Sequence, residues 1–127
     1  MKKILIIDDE ERIAELISFY FLPFGIQSVL KTDAVEGQTF LETNNVNFII
    51  LETKLSGMKK LCRGINEIWK TPFIIASVNN DRNDILNGFT LGADDYICKP
   101  FDDAELIQRV ANVLYRREIG RASCRER

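Results

Sequence analysis

Histidine is missing altogether from these 127 residues. Its absence removes imidazole acid–base catalysis, a Ser-His-Asp triad, any His-ligated metal and a phosphoryl group carried on imidazole. Cysteine is scarce. Cys62, Cys98 and Cys124 show no pair spacing, which points to reduced thiols in a cytoplasmic protein. No apolar run approaches the roughly 18 residues of a membrane span. The N-terminus enters a strand directly, without a signal-peptide pattern. No internal repeat, low-complexity segment or linker occurs before Gly120.

Hydrophobic residues make up 46% and charged residues 28%, ordinary values for a globular protein. The length suits one domain with a core that needs no disulfide or metal staple. Net charge is −2, but the last nine residues hold three arginines and one glutamate, so residues 1–118 carry −4. A domain of that sign is by itself a poor non-specific nucleic-acid binder. Gly120 to Arg127 has no apolar period and is not expected to continue the helix before it. Residues 119–127 therefore read as a vector-derived or disordered tail, apart from the domain at 1–118.

Three short apolar runs end in polar side chains. Ile4–Ile7 ends in Asp8-Asp9-Glu10, Phe48–Leu51 in Glu52, and Phe73–Ala76 in Ser77. Continuous runs of this kind read as strands buried on both faces. Ile26–Lys31 and Tyr96–Cys98 add two more. Between them lie helical periods: Ile13, Leu16, Ile17 and Tyr20, stopped by Pro23 and Gly25; then Val35, Phe40 and Leu41 after the capping box Asp33-Ala-Val-Glu36. Met58, Leu61, Ile65, Ile68 and Trp69 follow. The fourth period is Ile85, Leu86, Phe89 and Leu91 behind Asn79–Asp81, closing at Gly92. The last is Leu106, Ile107, Val110, Val113 and Leu114 behind Asp102-Asp-Ala-Glu105. Strand and helix alternate five times, which predicts a parallel α/β sheet covered on both faces by right-handed crossovers.

In such a sheet the strand ends share one edge, where ligands bind. Asp8, Asp9, Glu52, Ser77 and Lys99 would converge there. Three carboxylates in one crevice need a cation or shifted pKa values, and Mg2+ takes hard oxygen ligands of this kind. The competing reading is that Asp8-Asp9 caps the first helix.

Ile6-Ile7-Asp8-Asp9-Glu10, Ser77 after Pro72-Phe-Ile-Ile-Ala, and Gly92-Ala-Asp-Asp-Tyr-Ile-Cys-Lys-Pro-Phe101 resemble response-regulator receiver domains of two-component signalling. The resemblance runs through residues 2–118. It implies a flavodoxin-like (βα)5 doubly wound sheet of strand order 2-1-3-4-5. It also implies Asp8 and Asp9 on Mg2+, a phosphoryl-sensing hydroxyl at Ser77, a switch aromatic at Tyr96, a phosphoryl-binding Lys99 and a cis bond before Pro100. The family's phosphoacceptor aspartate falls on Glu52, and its downstream Pro, Asp and Gly fall on Ser56, Lys59 and Lys60.

Glutamate keeps a carboxylate, but its extra methylene moves the oxygen toward the place of the phosphoryl group. A misplacement of about 1 Å can cost on the order of 10²-fold in rate. Two readings follow: a permanent partial mimic of the phosphorylated state, with Glu52 reaching Lys99 or Ser77, or a decayed pocket with Glu52 paired to Lys54 or Lys99. Lys54 could neutralise the acidic cluster in place of the metal, so Mg2+, with Asp8, Asp9 and Glu52 as its ligands, is expected to bind weakly.

Asp95, Glu105, Arg109 and Arg116 resemble, in part, the charges by which OmpR/PhoB-like regulators pair through the fourth helix, fifth strand and fifth helix. The fourth-helix cation of that pattern falls on Ile85. A helix cap at Glu105 with an i,i+4 pair to Arg109 is the structural alternative. The expected function is a non-enzymatic, cytoplasmic receiver, the N-terminal part of a DNA-binding transcription regulator, with phosphorylation-independent or impaired switching. Its implied partners are a sensor histidine kinase, an input that the change at Glu52 puts in question, a second copy of itself, and DNA through a following domain; no membrane partner is expected. A Mg2+-dependent phosphohydrolase and a flavodoxin-like cofactor module are the rival readings.

Overall fold

A computed structural model describes the backbone of residues 2–125 and the side chains of residues 2–117. The order is β1 (Lys3–Ile7), α1 (Glu11–Phe21), β2 (Gln27–Lys31), α2 (Ala34–Thr43), β3 (Phe48–Leu51), α3 (Met58–Gly64), β4 (Phe73–Ser77), α4 (Arg82–Thr90), β5 (Asp95–Cys98) and α5 (Asp103–Arg125). A 3-10 turn, Leu22–Phe24, ends the first crossover, and a π-helical turn, Ile65–Trp69, extends α3. The five strands are parallel, as the alternation predicts, and run in the order β2-β1-β3-β4-β5, as the resemblance implies.

Alternate strand residues point to opposite faces, and here both faces are apolar. Leu5, Ile7, Ile49, Leu51, Phe73 and Ile75 pack on one side with Leu41, Met58, Leu61 and Ile65. Ile4, Ile6, Phe48, Ile50, Ile74 and Ile97 pack on the other with Ala14, Ile17, Phe21, Leu106, Val110 and Val113. Two-sided burial is why the strands read as unbroken apolar runs.

The helices depart from the sequence reading where a period held more apolar residues than the core takes. Leu16, Val35, Ile68, Leu86 and Phe89 are exposed. The buried stripe of α1 is Ala14, Ile17 and Phe21, so Leu16 falls beside it. In α2, small residues face the sheet: Ala34 and Gly37 are buried, and a Cβ on Gly37 would meet Ile7 Cδ1 at 2.5 Å. The capping residues behave as expected at Asp33, Asp81 and Asp102, which accept from the backbone N–H of Glu36, Asp84 and Glu105.

The fifth helix corrects the expectation that it would not continue past Gly120. Its backbone runs on to Arg125, past Gly120. Glu118, Arg121, Ala122 and Arg125 have good helix propensity and no proline intervenes, so one glycine does not end it. Residues 126–127, and Cys124 as a thiol, lie outside what is described. No helix is long and apolar enough to cross a membrane among the described residues.

Candidate functional site

Strand register brings the polar ends of β1, β3, β4 and β5 together. Asp8 N–H donates to Lys31 O at 3.0 Å, Glu52 N–H to Ile7 O at 3.0 Å, and Lys99 N–H to Ser77 O at 2.8 Å. Asp8 is 3% exposed and Glu52 and Ser77 are fully buried. The Lys99 side chain, 4% exposed, lies between the two carboxylates. Its Nζ donates to Asp8 Oδ2 at 2.7 Å and to Glu52 Oε1 at 3.3 Å. The peptide bond that follows, Lys99–Pro100, is cis, as the resemblance implies.

The remaining oxygens of this pair also have donors. Asp8 Oδ1 accepts from Glu10 N–H at 2.9 Å, and Glu52 Oε2 from Lys54 N–H at 3.3 Å. The group is two carboxylates against one ammonium. Burial is the main effect on Asp8 and raises its pKa from the ordinary 3.8, against the lowering effect of Lys99 and the Glu10 amide.

The other predicted site residues fall around this core. Asp9 is exposed at the rim. Lys54 does not enter the pocket: its Nζ pairs with Glu10 Oε1 at 3.2 Å, both side chains well exposed. Of the two partners expected for Glu52, Lys99 makes the ion pair and Lys54 does not, its side chain having the Glu10 carboxylate in open solvent to meet. Glu10 is the N-cap of α1 with no side-chain cap bond, so Asp8-Asp9 does not cap that helix.

Ser77 does not meet Glu52. Its Oγ accepts from Asn79 N–H at 3.1 Å. The Tyr96 hydroxyl donates to the carbonyl of the same residue at 2.5 Å, and the ring is buried. Burial raises the phenol pKa. One loop residue, Asn79, therefore ties the hydroxyl at the pocket to the aromatic under α4. Sequence gives no signal for it, since only its backbone acts.

The Mg2+ implied by the resemblance would have to compete with these donors for Asp8 and Glu52. A lysine ammonium already bridges Asp8 and Glu52, and all four of their oxygens have N–H donors. Among the described residues no three Cys, Asp or Glu side chains are grouped to hold a metal ion. Of the expected trio, Asp8 and Glu52 are buried and Asp9 is exposed.

On the face formed by α4, β5 and α5, Arg109 Nη1 holds both oxygens of Asp95 at 3.0 and 3.1 Å, and its Nε lies 3.4 Å from Glu105. Three of the four expected surface charges thus meet within one protomer. Arg116 turns instead to its own helix, at Asn112 O. A second fork, Arg117 on Asp94 at 2.9–3.2 Å, was not foreseen. Its signal in the sequence is the doubled acid Asp94-Asp95, which suits two arginines eight residues apart on one helix.

Comparison with known proteins agrees with this geometry. Residues 4–111 match the response regulator receiver domain model. The transcriptional regulatory protein YclJ of Bacillus subtilis is 32% identical over 90% of this chain and 51% of its own length. Response regulator ArlR of Staphylococcus saprophyticus is 34% identical over 91% and 54%. The chain spans about half the length of the curated relatives it matches. A two-component response regulator from Clostridium difficile superposes with a TM-score of 0.85 at 29% identity, covering 91% of this chain and 98% of that one. The receiver domain of Francisella response regulator 1452 gives 0.81 at 30% identity, with the same coverages. With the strand order, the Asp8–Lys99 pocket and the match over most of its length in agreement, this chain belongs to the response regulator receiver domain family.

Proposed function

We propose that this chain is the signal-input part of a longer, cytoplasmic, DNA-binding transcription regulator whose state is set by the Glu52–Lys99 ion pair rather than by phosphorylation. Receiver domains are signalling modules that interact with sensor histidine kinases and typically bind Mg2+ at the phosphorylation site. The observation that carries the reading is the buried contact of Lys99 Nζ with Glu52 Oε1 at 3.3 Å. Glu52 already supplies the lysine with an anion, and its longer side chain takes up space that an incoming phosphoryl group needs. Kinase input is lost on this reading, and Mg2+, with Asp8, Asp9 and Glu52 as its candidate ligands, binds weakly. The phosphohydrolase and cofactor-module readings gain no support from a pocket bridged by a lysine.

The output is a homodimer through α4, β5 and α5, with Asp95, Glu105, Arg109 and Arg116 at its polar margin. The exposed Leu86 and Phe89 on α4 favour this surface. Ser77 and Tyr96, joined through Asn79, connect the pocket to it. Light scattering tests the proposal on three samples: the parent protein, the parent with acetyl phosphate and Mg2+, and Glu52→Gln. The expected result is a parent dimer that the phosphodonor does not change and that Glu52→Gln weakens. A monomer throughout overturns the dimer surface. A phosphodonor-dependent shift overturns control by the ion pair.

A further inference from the structure

At the opposite edge of the sheet, where the strands begin, lies a cavity of about 350 Å3 whose lining includes Lys2, Trp69, Lys70 and Arg117. Its size reaches the range of small-molecule sites. Three cations line it, and no aspartate or glutamate does so among the described residues. This stands out in a chain with 19 acidic residues and a net negative charge. Arg117 is fixed in place by its fork on Asp94. Neither Lys2 nor Lys70 has an ion-pair partner among the described residues, while the chain's single tryptophan, half-buried, forms part of the wall.

The backbone at this cavity is unusual as well. The helix that follows β3 ends in a π-helical turn, a feature frequent at functional sites, and Lys70 closes it at φ 54°. Left-handed backbone disfavours a lysine, and elsewhere among the described residues positive φ falls on glycine, at Gly25, Gly57 and Gly92. Strain of this kind persists where the surroundings or a function hold it. A lysine at a helical C-terminus also complements the helix dipole, so Lys70 alone has a structural explanation. Trp69 also packs in part against the core, while the exposed Lys2 has no ion-pair partner among the described residues.

We infer that this cavity is a binding site for a small anion bearing a planar ring, the class to which mononucleotides belong. Lys2 and Lys70 would meet the anion, Trp69 would stack on the ring, and Leu114, Val46 and Pro72 would exclude water from it. The site lies at the edge of the sheet opposite Glu52, so a ligand there does not occupy the phosphoacceptor position. It adjoins Arg117 on α5 and gives that helix a second, chemically distinct input.

Trp69 reports on the site directly by its own fluorescence. Adenosine monophosphate, inorganic phosphate and adenosine would each be titrated into the full chain, with Lys70→Gly and Lys2→Ala as variants. The expected result is saturable quenching by adenosine monophosphate at about 1 mM or below, with phosphate and adenosine each much weaker. Lys70→Gly should weaken binding at least several-fold while its melting temperature holds or rises, since glycine suits the left-handed backbone. That opposite movement separates a binding role from a structural one. No saturable change, equal binding of phosphate alone or of adenosine alone, or unchanged affinity in both variants would overturn the inference.

Discussion

The Nζ of Lys99 lies 2.7 Å from Oδ2 of Asp8, nearer than its 3.3 Å approach to Glu52. The two acids share one cation in a pocket nearly closed to water, so the group carries a net charge of −1. Charge in such surroundings is costly unless it is paired.

Replacing Lys99 by methionine leaves two carboxylates facing each other without a cation. Breaking a buried pair on one side costs about 3–5 kcal/mol. Urea unfolding of Lys99→Met should show a loss of that order, with the m-value unchanged.

Asp8→Asn should move stability the other way. Burial holds the Asp8 carboxyl above 3.8, so the folded chain binds its proton more tightly than the unfolded chain. Stability from this group therefore falls as pH rises from 3.8 through the raised value, and the penalty is fully present above it. Asp8→Asn leaves a neutral Glu52–Lys99 pair. Its melting temperature at pH 7 should exceed the parent's, and the advantage should shrink as pH falls below that window.

Gly88 is the contact between α4 and the ring of Tyr96. A Cβ there would meet Tyr96 Cδ2 at 2.8 Å and Ile75 Cδ1 at 2.9 Å. Overpacking of this kind costs about 1–3 kcal/mol. Gly88→Ala should lower the melting temperature. It should also move Tyr96, read as a change in near-ultraviolet circular dichroism.

Cys62 is fully buried, and burial pushes its thiol up to about 11. The thiolate is the reactive form, so at pH 8 roughly one molecule in a thousand presents it. Iodoacetamide followed by peptide mapping should leave Cys62 unmodified in the folded protein and label it fully in urea.

The five strands and the gathering of Asp8, Glu52, Ser77 and Lys99 at their ends were legible because each rests on a local pattern, an apolar run and then a polar stop, whereas the strand order came from the resemblance. Which way a side chain turns at that edge was not. Lys54 and Lys99 read alike as lysines near an acidic cluster. One entered and the other paired with Glu10, a choice made by strand register. Leu16, Val35 and Ile68 fitted helical periods but lie outside the core, since spacing fixes a face only to within one residue's width. Asn79 acts through its backbone, and no side-chain pattern announces that. The onward run of α5 was missed because amphipathic period, which ends at Leu114, was taken as the mark of helix where propensity alone suffices.

Whether Glu52 accepts a phosphoryl group or only holds Lys99 is decided by intact-mass spectrometry after incubation with acetyl phosphate and Mg2+. The expected result is an unchanged mass. A stoichiometric gain of one phosphoryl group, mapped to an acyl phosphate on Glu52, would contradict it.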